Sequence, residues 1–401
     1  MGVNVFPAPS GGASYSSQPP ASASSVLLDG QLVTSGSITT SVTGTGAPWL
    51  LYANGAGTTT ITIAGTAYTV PAGSTVGTAA YTGSQSVSVA TTETAPATFT
   101  ASTMPSSSAW QGVTYGNGYF VAVPNGSTAG AYSTNGTSWS ASTMPSSNYW
   151  QSVTYGNGKF VAVAYGTTAG AYSTNGTTWT ANTMPSASNW RSVGYGNGYY
   201  VAVAGTTTAG AYSTNGTSWT ASTMPSSSAW RGVTYGNGIF VAVQSSGTTA
   251  GAYSTNGTTW TASTMPTSDL WYSVAYGLVG STPTFVAVQQ SGTTNGAYST
   301  NGSTWTASTM PSGGSSAGWT GVTYGNGYFV AIAEGTTAGG YSQNGITWTA
   351  GTMPSSQNWY GITYGNGYFV AVAAGTTAGA YFAQTPFPVA YGIYNGATVR
   401  A

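Results

Sequence analysis

The chain has 401 residues, 40% of them hydrophobic and 13% aromatic, with 59 glycines, only four basic and four acidic side chains, and neither Cys nor His. So few basic groups cannot neutralise a run of phosphates, which excludes nucleic acid and an anionic membrane surface as partners. The missing Cys and His remove disulfides, thiolate metal sites and the commonest general base and metal ligand, so no metal and no cofactor is expected.

Residues 1–25 are rich in Ser, Pro, Ala and Gly, which offer little to bury, and are expected to form an extended anchoring arm. The opening MGVNVFPAPSGG has neither a basic n-region nor an apolar h-region, so no secretory signal is expected. No stretch reaches the ~18 apolar residues of a membrane span, so no membrane insertion is expected. From Val26 the texture changes to short β-branched or alternating runs separated by Gly, Pro and Asn-Gly breaks. Residues 26–95 therefore read as a small all-β, sandwich-like domain, with Trp49, Leu50 and Leu51 as its core.

One pattern then recurs. A Trp opens each copy at Trp110, Trp150, Trp190, Trp230, Trp271, Trp319 and Trp359. Within the second copy WQSVTYG is a strand candidate, Asn157-Gly158 a tight turn, KFVAVAY a second strand buried on both faces, GAYST a third, Asn175-Gly176 another turn and TTWTA a fourth. Four short antiparallel strands in about 40 residues is the period of one propeller blade. The seventh copy lacks its fourth strand, while ATFTASTMP before the first copy matches TWTASTMP with Phe99 in the Trp position. The expected architecture is all-β: a seven-bladed β-propeller over residues 96–381, closed by an N-terminal strand and followed by a C-terminal tail, 382–401. The Trp residues read as core between blades, and Met-Pro pairs such as Met104-Pro105 as fillers of the crossings.

The turn STNGTSW from Ser133 to Trp139, repeated at Ser173, Ser213, Ser254, Ser299 and Ser342, resembles the Asp-box of sialidase-type repeats, Ser-x-Asp-x-Gly-x-Thr-Trp. With the VTYGNGYFVAV strands it is similar to Asp-box-like propeller repeats of bacterial and phage surface proteins, over residues 97–381. Asn135 and its equivalents stand in place of the Asp, and the turn is one residue shorter. In that family the motif is a structural turn far from the catalytic centre. A sialidase-like enzyme would need three clamping arginines, a Tyr-Glu pair and an Asp acid/base. The array holds two arginines, Arg191 and Arg231, and two carboxylates, Asp269 and Glu334, in copies that are not neighbours. A glycosidase pair lies within about 5 to 10 Å across the scissile bond; no catalytic residue and no enzyme is expected.

The copies differ chiefly in the loop after FVAV and in the stretch around the opening Trp. In an up-and-down blade both lie on one rim. The candidate binding rim is Gln111, Tyr149, Gln151, Tyr165, Arg191, Arg231, Gln244, Asp269, Tyr272, Gln289, Glu334, Asn358 and Tyr360. Tyr, Gln, Asn and Arg are adaptable contact residues, and rings flanked by amides suit sugars. The expected function is a non-enzymatic virion structural and recognition protein at the particle surface. It reads as a phage tail or head appendage, oligomeric within an assembly, docked to other virion proteins through residues 1–95 and binding a host-surface glycan or protein. A capsid decoration protein and a lectin-like propeller of cellular origin are the alternatives.

Overall fold

The computed structural model describes residues 26–28, 31–33, 38–54, 59–70, 75–91, 95–291, 294–312, 318–384 and 390–394. The chain divides into two compact units, residues 1–94 with 384–401, and residues 95–383. The expected anchoring arm, 1–25, lies outside the described residues, as do the side chains of Trp49, Leu50 and Leu51.

In the first unit, Val26–Leu28 and Gln31–Val33 pair as a hairpin. The remaining strands form one five-stranded antiparallel sheet in the order Ala390–Tyr394, Ile38–Asn54, Thr75–Thr91, Thr59–Ile63 and Thr66–Val70. Two points differ from the sequence reading. The five-stranded sheet stands without a second sheet of like size among the described residues of the first unit, rather than as a sandwich. The C-terminal segment is no separate tail, because Ala390–Tyr394 adds an edge strand to Ile38–Asn54, from Leu50↔Tyr394 to Asn54↔Ala390. That pairing joins segments more than three hundred residues apart in sequence, and a short edge strand carries no local signal of its partner.

In the second unit the recurring sequence gives recurring antiparallel groups of four strands. One such group is typical. The strand Ser140–Gly156 pairs with Lys159–Ala164, which pairs with Thr167–Ser173, which pairs with Thr180–Gly196. Asn157 and Gly158 both have positive φ, 42° and 76°, the requirement of a two-residue type I′ hairpin. Phe160, Val161, Ala162 and Val163 are all fully buried, so both faces of this second strand are covered. Long strands such as Ser140–Gly156 serve two groups, since their first residues are the outer strand of one and their last residues the inner strand of the next.

The other turn is held by side chains. Ser133 Oγ accepts from the Gly136 N–H at 2.8 Å and donates to Asn135 Oδ1, which accepts from the N–H groups of Thr137 and Ser138 at 3.0 and 2.9 Å. The same bonds recur around Asn175, Asn215, Asn256, Asn301 and Asn344. An amide oxygen does here what a carboxylate would do, satisfying backbone donors that the turn leaves unpaired.

The groups lock onto one another. A β-carbon on Gly116 would lie 2.0 Å from the Tyr155 ring, and the same collision links Gly156 to Tyr195, Gly196 to Tyr235, Gly236 to Tyr276, Gly277 to Tyr324, Gly325 to Tyr364 and Gly365 to Tyr115. Only glycine lets each ring lie on the preceding strand's backbone. Each opening Trp is fully buried, and six donate Nε1 to a backbone carbonyl four residues earlier, as Trp150 does to Ser146 at 3.1 Å. Met104 packs with Trp110, and Met144 with Trp150, in successive core clusters. Finally, Thr376–Ala383 pairs with the beginning of Thr100–Gly116, from Tyr381↔Thr100 to Ala378↔Thr103. Phe99 is buried beside it against Met353 and Phe369.

Candidate binding site at the bulged starts of the inner strands

Each inner strand carries a β-bulge just after its Trp. In the third copy Trp190 pairs with Ala204 and Ser192 with Val203, so Arg191 between them is the extra residue. The same shift isolates Gln111, Gln151, Arg231, Tyr272, Thr320 and Tyr360. A bulge bends its strand and re-aims the extra side chain. These seven side chains line a single cavity of about 150 Å³. Beneath them lie the residues that follow, Gly112, Ser152, Ser192, Gly232, Ser273, Gly321 and Gly361, and then apolar residues such as Val113, Val233 and Ile362. The serines are structural: Ser152, Ser192 and Ser273 Oγ accept the N–H groups of Val193, Val233 and Val322, each at 3.2 Å.

The polar mouth is organised by rings. The Arg191 guanidinium lies 4.1 Å over the Tyr165 ring and donates to Gln151 Oε1 at 3.2 Å. Arg231 lies 3.9 Å over the Tyr272 ring, which stacks on Tyr360 with centroids 6.5 Å apart. Tyr360 Oη donates to Glu334 Oε2 at 3.0 Å, and Gln290 Nε2 donates to Glu334 Oε1 at 2.7 Å. Arg231 makes no hydrogen bond and no ion pair to the described residues. Burial, and then the like charge of Arg191, pulls its guanidinium down to about 9, against the opposing pull of Tyr360, Glu334 and Tyr165. Arg191 is lowered as well, chiefly by burial. Burial and the neighbouring Glu334 carboxylate push the Tyr360 hydroxyl up to about 12.

The structure thus brings together six of the rim residues expected from sequence, Gln111, Gln151, Arg191, Arg231, Tyr272 and Tyr360, backed by Tyr165 and Glu334. The other five do not line the cavity. Gln244 and Gln289 are fully buried and staple their own loops: Gln244 donates to the Thr248 carbonyl at 2.6 Å and accepts from the Ser246 N–H, and Gln289 accepts from the Ser291 N–H. These two loops are longer by a residue or more, and their extra backbone donors need acceptors. Both are corrections to the rim. Asp269 is buried at the outer end of its group, held by Thr267, by Ser291 at 3.3 Å and by Asn295 at 3.0 Å. Tyr149, 58% exposed, and Asn358 stand outside the mouth and lend it only backbone carbonyls, to the N–H groups of Tyr165 and Ala374. Thr320 was not among the expected residues, although its position directly after Trp319 is the signal that identifies it. Its Oγ1 donates to the Trp359 carbonyl at 2.5 Å. Among the described residues no cluster of His, Cys, Asp and Glu could hold a metal ion.

No protein-family model and no curated protein sequence matches the chain. Solved structures do resemble it. A streptogramin B lyase has a TM-score of 0.63 at 13% identity, covering 71% of this chain and 97% of that one. YCF48 bound to a D1 peptide has 0.57 at 16%, covering 71% and 95%. A catalytically inactive histidine-to-alanine variant of the Staphylococcus aureus virginiamycin B lyase with quinupristin has 0.61 at 12%, covering 71% and 98%. At these identities the likeness is one of fold, and the fold is a β-propeller.

Proposed function

We propose that this chain is a non-enzymatic recognition protein, a closed seven-bladed propeller of Asp-box-like repeats that takes its ligand at the cavity between the bulged residues. One observation carries the reading: a position that varies from copy to copy, the one after each Trp, is represented from every copy in the lining of the same cavity. Residues distributed over the whole array reach one cavity if the inner strands surround an axis. Closure is further supported by the Thr376–Ala383 pairing with the first strand and by the glycine–tyrosine contacts, whose last glycine, Gly365, returns to Tyr115. The Ser-Asn turns favour the Asp-box-like reading, since their amide oxygens cap the same backbone donors in every complete copy.

Against an enzyme stands the poverty of the cavity in proton-transfer groups. No Asp or Glu is among its lining residues, the Glu334 carboxylate behind Tyr360 is held by two donors, and there is no His or Cys in the chain. One structural neighbour, the lyase above, is inactive once a histidine is replaced, and this chain has none to supply that role. Display on a phage particle, docked through residues 1–95 to other virion proteins, belongs to the same proposal. It is favoured by a repeat array that varies where a ligand would sit and stays constant where it need only stand.

The test is a glycan-binding panel with the purified chain and its Arg191→Ala/Arg231→Ala/Tyr272→Ala variant. Binding that the triple variant loses supports the reading; binding that it keeps removes the cavity as the site, and turnover of a bound glycan makes the protein an enzyme. For the particle setting, the protein should co-purify with virions. Co-purification with cell envelopes alone would favour a cellular lectin, and wild-type virions that bind no host surface would favour a capsid decoration role.

A further inference from the structure

We infer that the apolar face of the five-stranded sheet pairs with the same face of a second copy of this chain, so that the sandwich expected from sequence forms between two chains. Directly opposed residues share a face, so the register sorts the sheet into two surfaces. Ile38, Val89, Ile61 and Tyr68 form one row across four strands, and Thr40, Val87, Ile63 and Thr66 form the next row of that face. The row between them lies on the opposite face and holds only Ser, Thr and Ala: Thr39, Ser88, Thr62 and Ala67. An antiparallel sheet patterned in this way buries its apolar face against a second layer and leaves the other to water. The described residues of the first unit supply no such layer. Thr66, on the apolar face, is exposed, and Tyr68 is only half-buried. The hairpin of Val26–Leu28 and Gln31–Val33 lies beside Ala390–Tyr394, at the other edge of the sheet.

The composition of the rest of the chain points to a second copy as the occupant. Four strands about 4.8 Å apart, each with about five residues at about 3.4 Å, make a face of roughly 19 by 17 Å. A contiguous apolar patch of a few hundred Å² marks an interaction surface. Residues 1–25 are a poor cover, since beyond Met1 their large apolar residues are Val3, Val5, Phe6 and Tyr15, and their four prolines cannot extend a sheet. The propeller unit offers no matching patch: its exposed large hydrophobic residues among those described, Tyr149, Leu278 and Ile346, stand singly in three different copies of the repeat. The apolar face is therefore best matched by its own twin. Charge agrees, because a two-fold axis brings a patch against itself and any charge on it would meet its like. No residue from 38 to 91 is charged. Two such faces stack at about 10 Å with their strands within about 30° of one another. The polar face and residues 1–25 remain for the docking to other virion proteins proposed above.

The experiment uses the absence of Cys, which makes a single introduced thiol a unique reporter. Thr40→Cys and Ser41→Cys are neighbours on opposite faces, and each full-length variant is labelled with a maleimide while its mass is measured by light scattering. Both variants, like the wild-type chain, should have the mass of two copies. Thr40→Cys should label about tenfold more slowly than Ser41→Cys, since access governs thiol reactivity. Adding Ile61→Glu to Thr40→Cys should give the mass of one copy and raise labelling to the Ser41→Cys rate, whereas Thr62→Glu, on the polar face, should leave two copies together. Should Ile61→Glu disrupt the first unit, the contrast between the two single thiols still decides. A wild-type mass of one copy would overturn the proposal, and slow labelling of Thr40→Cys in such a monomer would show that the chain covers its own face. A mass of three copies, or equal labelling of both thiols in a two-copy species, would overturn it as well, by placing the contact elsewhere.

Discussion

Toward its finishing end every inner strand carries Tyr-Gly, and at its starting end every inner strand has Trp followed by a bulge. The finish is uniform because backbone meets ring there: a β-carbon on Gly196 would lie 1.9 Å from Tyr235, so no other residue serves. The start is diverse because the bulge turns one side chain per copy into a cavity, where Gln, Gln, Arg, Arg, Tyr, Thr and Tyr are all sterically acceptable. Four residues of one strand separate a position that specifies the fold from a position that specifies chemistry.

The sharpest break of that comparison lies between adjacent residues. Trp190 is fully buried among Val161, Val163 and Met184, and Trp190→Ala should cost about 3–5 kcal/mol by denaturant unfolding, as for other buried aromatic truncations. Arg191→Ala next to it should change stability by about 0.5 kcal/mol or less. Similar losses at both positions would mean that the bulged residue is part of the wall and not of a site. At the other end of the same strand, Gly196→Ala should cost about 3 kcal/mol, because the Tyr235 ring or the strand beneath it must move. An unchanged urea midpoint would show that neighbouring groups are less tightly apposed than the ring contacts require.

The periodic part of the molecule was legible because a Trp every forty residues marks both strand content and core. The meeting of the variable residues was only half legible. The up-and-down order of strands places Gln151 and Arg191 on one rim, but the bulge that gathers them is invisible to a period-two reading, since it adds one residue without changing composition. Thr320 was missed for that reason, an ordinary threonine whose importance lies only in its register after Trp319. Gln244 and Gln289 misled in the opposite sense. Their amides look like contact groups in a variable loop, yet they turn inward to satisfy donors created by the loop's own extra length. The strand Ala390–Tyr394 was hidden because its partner, Ile38–Asn54, lies at the other end of the chain.

The starting end should also answer to pH in its own way. Without His, and with Arg231 pulled down to about 9 and Tyr360 pushed up to about 12, none of these groups titrates between pH 5 and 8. Affinity for an anionic ligand at the cavity should therefore be level across that range. Above about 9 the Arg231 site loses its proton and the anion its attraction, so affinity should fall by up to about tenfold per pH unit. Stability moves the other way. The unfolded chain keeps the Arg231 proton to far higher pH, the ordinary range of a guanidinium, so between about 9 and 10 it holds more protons than the folded chain, and folding gains with rising pH. Above 10, Tyr360 opposes the gain, since its raised value keeps a proton that the unfolded chain has lost. Calorimetric titrations from pH 5 to 10.5 check both signs, and an affinity midpoint near 7 would remove Arg231 from the site.

The smallest expected effect tests whether variation outside the cavity is merely tolerated. In the outer strand of the second copy Asn182 stands where five others have serine and one has Gly351, and its Nδ2 donates to the Gly216 carbonyl of the next turn at 2.8 Å. The equivalent Ser222 Oγ is buried without a hydrogen-bond partner among the described residues, and it faces Gly210, which has no side chain to obstruct a larger group. Ser222→Asn should therefore reach the Gly257 carbonyl of the corresponding turn. Its own Oδ1 would stay unpartnered, as that of Asn182 does, so the net gain should be only about 0.5 kcal/mol in denaturant unfolding. A loss of stability instead would mean that the wall accepts the amide only in the second copy, where its surroundings have already adjusted. The constancy of the wall would then be a packing requirement rather than the record of a repeat with nothing to gain from change.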